Sequence, residues 1–152
     1  MQEAELLHLF DQYSNMVYRL AFSYLRSQQD AEDVVQSVFL KVIEGRARPL
    51  PGKERPFLTQ ITINLCRDEL RASRRKRVVP LEDTIVWEDK KDKELFDAVM
   101  SLPEKYRIVI HLHYYSGYSF PEIASFLKIS QSAVSMRMHR GRKILEKQLR
   151  RD

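Results

Sequence analysis

The clearest structural signal in this chain of 152 residues comes from positions 116–145, which read SGYSFPEIASFLKISQSAVSMRMHRGRKIL. The S-x-x-E spacing of Ser119 and Glu122 predicts a capping box that begins a short helix. A tight turn at positions 128–130 then leads to a longer, basic helix. The buried stripe of that helix is predicted to consist of Val134, Met138, Gly141 and Leu145. A short helix, a tight turn and a longer basic helix together indicate a helix-turn-helix.

Two positions in this stretch make specific structural demands. Lys128 lies in the turn, where glycine would be free of strain, so we expect lysine to adopt the turn geometry at a cost of about 1 kcal/mol. Gly141 is expected where the last helix packs closely against another. The side opposite the buried stripe is predicted to display Ser132, Ser135, Met136, His139, Arg140 and Lys143.

Upstream, apolar residues at three- and four-residue spacing predict two further helices. The buried side of the first is predicted to hold Phe10, Tyr13, Val17, Leu20 and Tyr24. The second is expected to begin with Asp30 as its N-cap and to end near Gly45. Its buried side is predicted to hold Ala31, Val34, Val35, Val38 and Val42.

The stretch from Gly45 to Pro56 is rich in proline and glycine and is predicted to be a loop. A third helix is expected from about Phe57. Its predicted apolar side includes Leu58, Ile61 and Leu65. Its outward polar stripe is predicted to hold Asn64, Arg67, Asp68 and Arg71.

Residues 78–92 contain Pro80 and show no sustained period, so they are predicted to be a flexible linker. After a short helix around positions 95–100, Ser101 and Glu104 predict a second capping box. The expected fold is all-α, with two small helical domains at residues 1–77 and 93–152 joined by that linker.

The charges of the chain fall into blocks. Residues 45–77 hold ten Lys or Arg against three acids, and residues 98–152 hold ten against four. Residues 1–44 and 78–97 are acidic, each with seven acids against three bases. A single run of like charges is typical of a solvated helix face. Two basic blocks, each on a candidate recognition element, favour a protein that binds a polyanion at two places.

Several other classes of protein are disfavoured. The apolar runs are far shorter than the roughly 20 residues of a membrane-spanning helix, and the acidic start is unlike a signal peptide, so a cytoplasmic protein is expected. Cys66 is the only cysteine, which excludes an internal disulfide and disfavours structural zinc. His111 and His113 are spaced too far around a helix to bind one metal ion. With no phosphate loop or nucleophile motif, we expect no enzyme activity, no cofactor and no metal.

Four segments in order resemble the extracytoplasmic-function (ECF) sigma factors of bacterial RNA polymerase. They are DAEDVVQSVFLKV (30–42), FLTQITINLCRDELR (57–71), LPEKYRIVI (102–110) and the stretch at 116–145. The resemblance implies that the first domain is sigma region 2 and the second is sigma region 4. Such a protein binds core RNA polymerase and directs it to promoters by recognising −10 and −35 elements.

The resemblance also implies roles for single residues. Asp33, Gln36 and Leu40 correspond to contacts with core polymerase, although an acid in the first turn of a helix also suits its N-terminus. The implied −10 contacts are Asn64, Arg67, Arg71, Arg74 and Arg75, and the loop at 45–56 corresponds to one that holds a flipped-out base. In the last helix, the resemblance implies that three residues contact base edges: Ser135, Met136 and His139. It implies that four others contact phosphates: Ser132, Arg137, Arg140 and Arg142.

Ser135 departs from the family pattern, since several members have Arg or Lys there; direct guanine recognition from this position is therefore not expected. The implied partners are core RNA polymerase, through its clamp helices and flap, promoter DNA, and an anti-sigma factor, which in this family often holds the sigma factor at the inner face of the membrane. The alternative interpretation is a helix-turn-helix repressor or activator that acts as a dimer without being a polymerase subunit.

Overall fold

The computed structural model describes residues 3–45, 48–73 and 90–150. Regular structure in these ranges is helical throughout, without a strand, which confirms the all-α prediction. The described helices fall into two compact units, with the division between residues 82 and 83. The first unit consists of α1 (Glu3–Leu25), α2 (Gln28–Ile43) and α3 (Glu54–Ser73).

The second unit contains the remaining helices. They are α4 (Lys90–Met100), α5 (Glu104–Ile110), a π-helical turn (His111–Tyr115) that continues α5, α6 (Phe120–Leu127) and α7 (Gln131–Arg150). Residues 78–89 of the predicted linker lie outside the described residues. Residues 90–92 were also assigned to the linker, and that assignment is wrong, because they form the first turn of α4.

The connection between α1 and α2 is shorter than predicted. Arg26 adopts a positive φ of 58°, which turns the chain within one residue. Ser27 is the N-cap of α2, and its hydroxyl accepts a hydrogen bond from the Asp30 backbone N–H at 3.2 Å. The prediction of Asp30 as N-cap is therefore wrong, because this early turn starts the helix at Gln28. Ala31, Val34, Val38 and Val42 are buried as predicted, whereas Val35 is half-buried.

One residue of the predicted α1 stripe lies outside the core. Val17, Leu20 and Tyr24 are buried as predicted and Tyr13 is half-buried, but Phe10 is 42% exposed. Leu9 is buried in its place. Each residue advances about 100° around a helix, so Leu9 points into the unit while Phe10 lies at the flank beside α2.

The third helix is rotated relative to the prediction and begins three residues earlier, at Glu54. Leu58 is buried as expected, but Ile61 and Leu65 are only half-buried. Their predicted place in the core is taken by Thr59, Thr62, Ile63 and Cys66. The Thr59 and Thr62 hydroxyls donate hydrogen bonds to the carbonyl oxygens of the residues four positions earlier, at 2.9 and 2.7 Å. Because these polar groups are satisfied within the helix, they can be buried.

The helix-turn-helix of the second unit is confirmed. The Ser119 hydroxyl accepts from the Glu122 backbone N–H at 3.3 Å, and the Glu122 carboxylate accepts from the Ser119 backbone N–H at 3.0 Å, which completes the capping box. Lys128 ends α6 in the left-handed conformation, with φ 57° and ψ 46°. The first three residues of the predicted α7 stripe, Val134, Met138 and Gly141, are buried, and Leu145 is half-buried.

The second predicted capping box is wrong. α5 begins after Pro103, without a side-chain cap. Ser101 lies at the end of α4 instead, where its backbone N–H bonds to the Asp97 carbonyl and its hydroxyl donates to the Ala98 carbonyl at 2.7 Å. The serine hydroxyl is therefore used by the preceding helix and does not cap the following one.

Replacing Lys128 with glycine tests the strain in the turn. Lys128→Gly should have a free energy of unfolding about 1 kcal/mol higher than Lys128→Ala, since only glycine adopts the left-handed conformation without a steric cost. Both variants remove the same charge, so alanine is the matched control in chemical denaturation. Equal stability of the two variants would contradict the assignment of strain to this residue.

Candidate nucleic-acid and protein interfaces

The outer face of α7 carries most of the residues assigned to −35 DNA. It lies opposite the buried residues Val134, Met138 and Gly141. The side chains exposed on it are Ser132, Ser135, Met136, His139 and Arg140. The helix contains six Lys or Arg and a single acid, Glu146. A surface with this charge suits a polyanion, and its row of small polar and apolar side chains can approach base edges.

The other two residues of the −35 set lie at the margins of this face. Arg137 is half-buried. Arg142 is exposed, but its guanidinium carbon lies 5.5 Å from the centroid of the Tyr114 ring, in cation–π geometry. The structure therefore brings five of the seven predicted residues onto one exposed face and places Arg142 against an aromatic side chain of the same unit.

An apolar groove of about 490 Å³ lies beside Arg142. Among its lining residues are Leu95, Val99, Ile110, Tyr114, Leu145 and Leu149. Tyr114 and Tyr115 are neighbours in the π-helical turn, and both are more than half exposed. The sequence interpretation missed this groove, although pairs of apolar residues four positions apart on α4 (95 and 99) and on α7 (145 and 149) are the signal that could have indicated it.

On α3, the predicted −10 residues face outward. Asn64 and Arg71 are exposed and Arg67 is half-buried. The Asn64 side-chain oxygen accepts a hydrogen bond from the Gln60 amide at 3.0 Å. Arg71 forms an ion pair with Asp68, and both side chains are about two-thirds exposed. Arg74 and Arg75 lie outside the described residues, so the structure shows only part of this predicted surface.

On α2, the three residues assigned to polymerase share one exposed face. Asp33, Gln36 and Leu40 are spaced by three and four positions, and all three are exposed. Leu40 is 51% exposed, and Ile43, three positions later on the same side, is 58% exposed. The sequence interpretation missed Ile43, which the same spacing could have added.

The comparisons with known proteins cover both units. Residues 9–76 match the family Sigma-70 region 2, and residues 92–145 match the family Sigma-70, region 4. The ECF RNA polymerase sigma factor SigL of Mycobacterium tuberculosis is 30% identical over 154 residues, which cover 90% of this chain and 85% of that protein. The chain belongs to the ECF RNA polymerase sigma factors.

One further relative and one solved structure are also similar to this chain. The ECF sigma factor SigE of Mycolicibacterium smegmatis is 33% identical over 150 residues; the match covers 90% of this chain but only 58% of that longer protein. The solved structure of CnrH in complex with the cytosolic domain of CnrY is similar with a TM-score of 0.68 and 25% identity, and the match covers 99% of this sigma factor and 91% of CnrH.

The assignment decides between the two classes considered from the sequence, since the matched families belong to polymerase sigma factors rather than to dimeric repressors. None of the helices in residues 3–45, 48–73 and 90–150 combines the length and the apolar composition of a membrane span. Over the same ranges, no group of three or more His, Cys, Asp or Glu side chains could hold a metal ion.

If Leu40 serves binding rather than folding, its truncation should leave this sigma factor stable. Leu40→Ala should change the free energy of unfolding by less than about 1 kcal/mol, because half of the side chain is already in water. Leu20→Ala is the matched control at a fully buried position and should lower it by about 2–5 kcal/mol. Chemical denaturation of both variants measures the difference, and a similar loss at the two positions would place Leu40 in the core.

Proposed function

We propose that this sigma factor joins core RNA polymerase through the exposed face of α2 and guides it to promoters with two recognition elements. In this proposal Asp33, Gln36 and Leu40 bind the clamp helices. The exposed face of α2 supports this assignment, because it combines a carboxylate, an amide and an apolar side chain that is 51% exposed. Such a mixture of an apolar centre and a polar margin is typical of protein interfaces.

We assign the −10 element to the outward face of α3. Asn64 is exposed, and its amide can read a base by edge hydrogen bonds once that base has left the duplex. Arg67 and Arg71 are assigned to phosphates, and the proposal extends to Arg74 and Arg75 from the sequence alone. Since the ion pair between Arg71 and Asp68 is exposed to solvent, it is weak and a phosphate can replace the carboxylate.

The main support for the proposal is the set of side chains exposed on the outer face of α7. A helix-turn-helix places its second helix in the major groove, and here that helix exposes Ser135, Met136 and His139 side by side. We assign these three to base edges of the −35 element, and we assign Ser132, Arg137, Arg140 and Arg142 to the phosphates on either side. For Arg142, reaching a phosphate requires the side chain to leave the Tyr114 ring.

We assign the apolar groove beside Arg142 to the polymerase flap. The support is its position next to the recognition helix, together with exposed Leu95 and Tyr114 on its walls. In the same proposal residues 1–77 work as region 2, residues 78–89 as the linker and the residues from Lys90 onward as region 4. The protein acts in the cytoplasm, without catalytic activity of its own.

We also propose regulation by an anti-sigma factor. CnrH, which is similar over nearly the whole of this chain, was solved in complex with the cytosolic domain of CnrY. A partner of that kind would cover the exposed face of α2 or the groove and so compete with polymerase. If it is anchored in the membrane, it would hold this sigma factor at the inner face until a signal releases it.

Transcription with purified components tests the proposed function. Core polymerase with this protein should yield run-off product from a promoter library of two-element promoters, whereas core polymerase alone should yield none. The affinity of the complex for DNA should fall linearly with salt on logarithmic axes, because binding releases counterions. Absence of product from every promoter of the library would contradict the proposed function.

Two neighbouring substitutions on α7 separate base reading from phosphate binding. His139→Ala should change the −35 sequence that is selected from random DNA, because a base-edge contact is lost. Arg140→Ala should weaken binding to all sequences alike and reduce the salt dependence by about one ion. Both variants are read out with the holoenzyme, and the reverse pattern would contradict the assignment of the two roles.

A further inference from the structure

Met136 is a large apolar side chain on the surface that α7 exposes. It is 51% exposed, and the helix packs inward through Val134 and Met138 on the opposite side. The described part of the second unit exposes four other large apolar side chains, and all four line the groove beside Arg142: Leu95, Tyr114, Tyr115 and Leu149. Met136 does not line this groove. A partner in the groove therefore does not account for the exposure of Met136.

The neighbours of Met136 on α7 leave it uncovered. Ser132 lies one turn before it and Ser135 is adjacent in the chain, and both are exposed. His139 and Arg140 lie one turn after it and are exposed as well. Because a methionine side chain is longer than a serine side chain, a surface that approaches this face reaches Met136 before the serines. Met136 is thus an apolar centre among groups that suit polar contacts.

The major groove of DNA offers an apolar side chain one complementary group. Guanine, adenine and cytosine present hydrogen-bond donors and acceptors there, whereas thymine also presents the methyl group on C5. A methionine thioether donates no hydrogen bond and accepts one only weakly, so it matches the polar groups poorly. The side chain is flexible and polarisable, which lets it fit closely against another apolar group. The thymine methyl group is therefore the base-edge group that suits Met136.

We propose that Met136 makes this sigma factor specific for a T·A pair in the −35 element by contacting the C5-methyl group of the thymine. The inference rests on the proposed function, which assigns Met136 to a base edge without naming the base. One turn of α7 advances about 5.4 Å, and base pairs are stacked about 3.4 Å apart. The thymine should therefore lie within about two base pairs of the position that His139 reads.

Removal of a single methyl group from the DNA tests the contact. The −35 element is first selected from random DNA with the holoenzyme of core polymerase and the full-length protein. Each thymine of that element is then replaced in turn by deoxyuridine, which lacks only the C5-methyl group. At one position the replacement should weaken binding of the holoenzyme about fourfold, as expected when one buried methyl contact is lost. The same replacement should leave the affinity of the Met136→Ser holoenzyme unchanged.

Two further variants serve as controls. Met136→Leu keeps an apolar side chain and should retain the loss of affinity on deoxyuridine DNA. Arg140→Ala, on the same face, should weaken binding to thymine and deoxyuridine DNA by the same factor, so that their ratio stays about fourfold. Since Met136 is 51% exposed, both of its variants should fold like the parent protein, which chemical denaturation verifies.

Selection with two variants separates failure of this inference from failure of the proposed function. Met136→Ser should lose the preference for thymine at one position and keep the other preferences. If His139→Ala alters the selected sequence but the methyl group affects the parent and Met136→Ser holoenzymes equally, α7 reads the −35 element and the thymine contact is wrong. If neither variant alters the selected sequence, the assignment of α7 to the −35 element is wrong as well.

The selection also distinguishes a base contact from a backbone contact. If Met136→Ser weakens binding to all sequences by the same factor, the side chain lies against the sugar–phosphate backbone, and the inference is overturned.

Discussion

The architecture of the second unit depends on how closely α7 packs against α5. A Cβ atom added to Gly141 would lie 2.7 Å from Ile110 Cδ1 and 3.3 Å from Tyr106 Cβ, so the end of the Ile110 side chain would have to move and the contact with Tyr106 would tighten. Together with the buried Val134 and Met138, this contact holds one side of α7 against the rest of the unit. With Gly141, Val134 and Met138 turned inward, the opposite face, which carries Ser135, Met136 and His139, must face outward.

A comparable constraint acts on α3 through two threonines. A buried hydroxyl is unfavourable unless it has a hydrogen-bond partner, and Thr59 and Thr62 each find one in the backbone carbonyl of the preceding turn. The helix can therefore turn this side into the core, next to Leu58 and Ile63. Asn64 is consequently exposed.

Both units combine a polar helix face with a separate exposed apolar surface. In the first unit the exposed Leu40 and Ile43 of α2 accompany the outward face of α3, and in the second the groove accompanies the outer face of α7. A protein that only binds DNA has no need for such apolar surfaces, whereas a subunit that must hold a protein partner and DNA at the same time requires both. In the proposed function, the apolar residues that the core does not use therefore bind the protein partner.

Local physics was sufficient to predict much of this protein from its sequence: the all-α class, the capping box at Ser119, the turn that begins at Lys128, the close approach at Gly141 and most of the buried side of the last helix. Each depends on interactions between residues near one another in the chain or on a single backbone requirement. Only the tertiary structure decided four other features: the side of α3 that is buried, the exposure of Phe10, the use of Ser101 by α4 and the groove beside Arg142. These features depend on which neighbouring helix covers each face, and short-range periodicity does not contain that information.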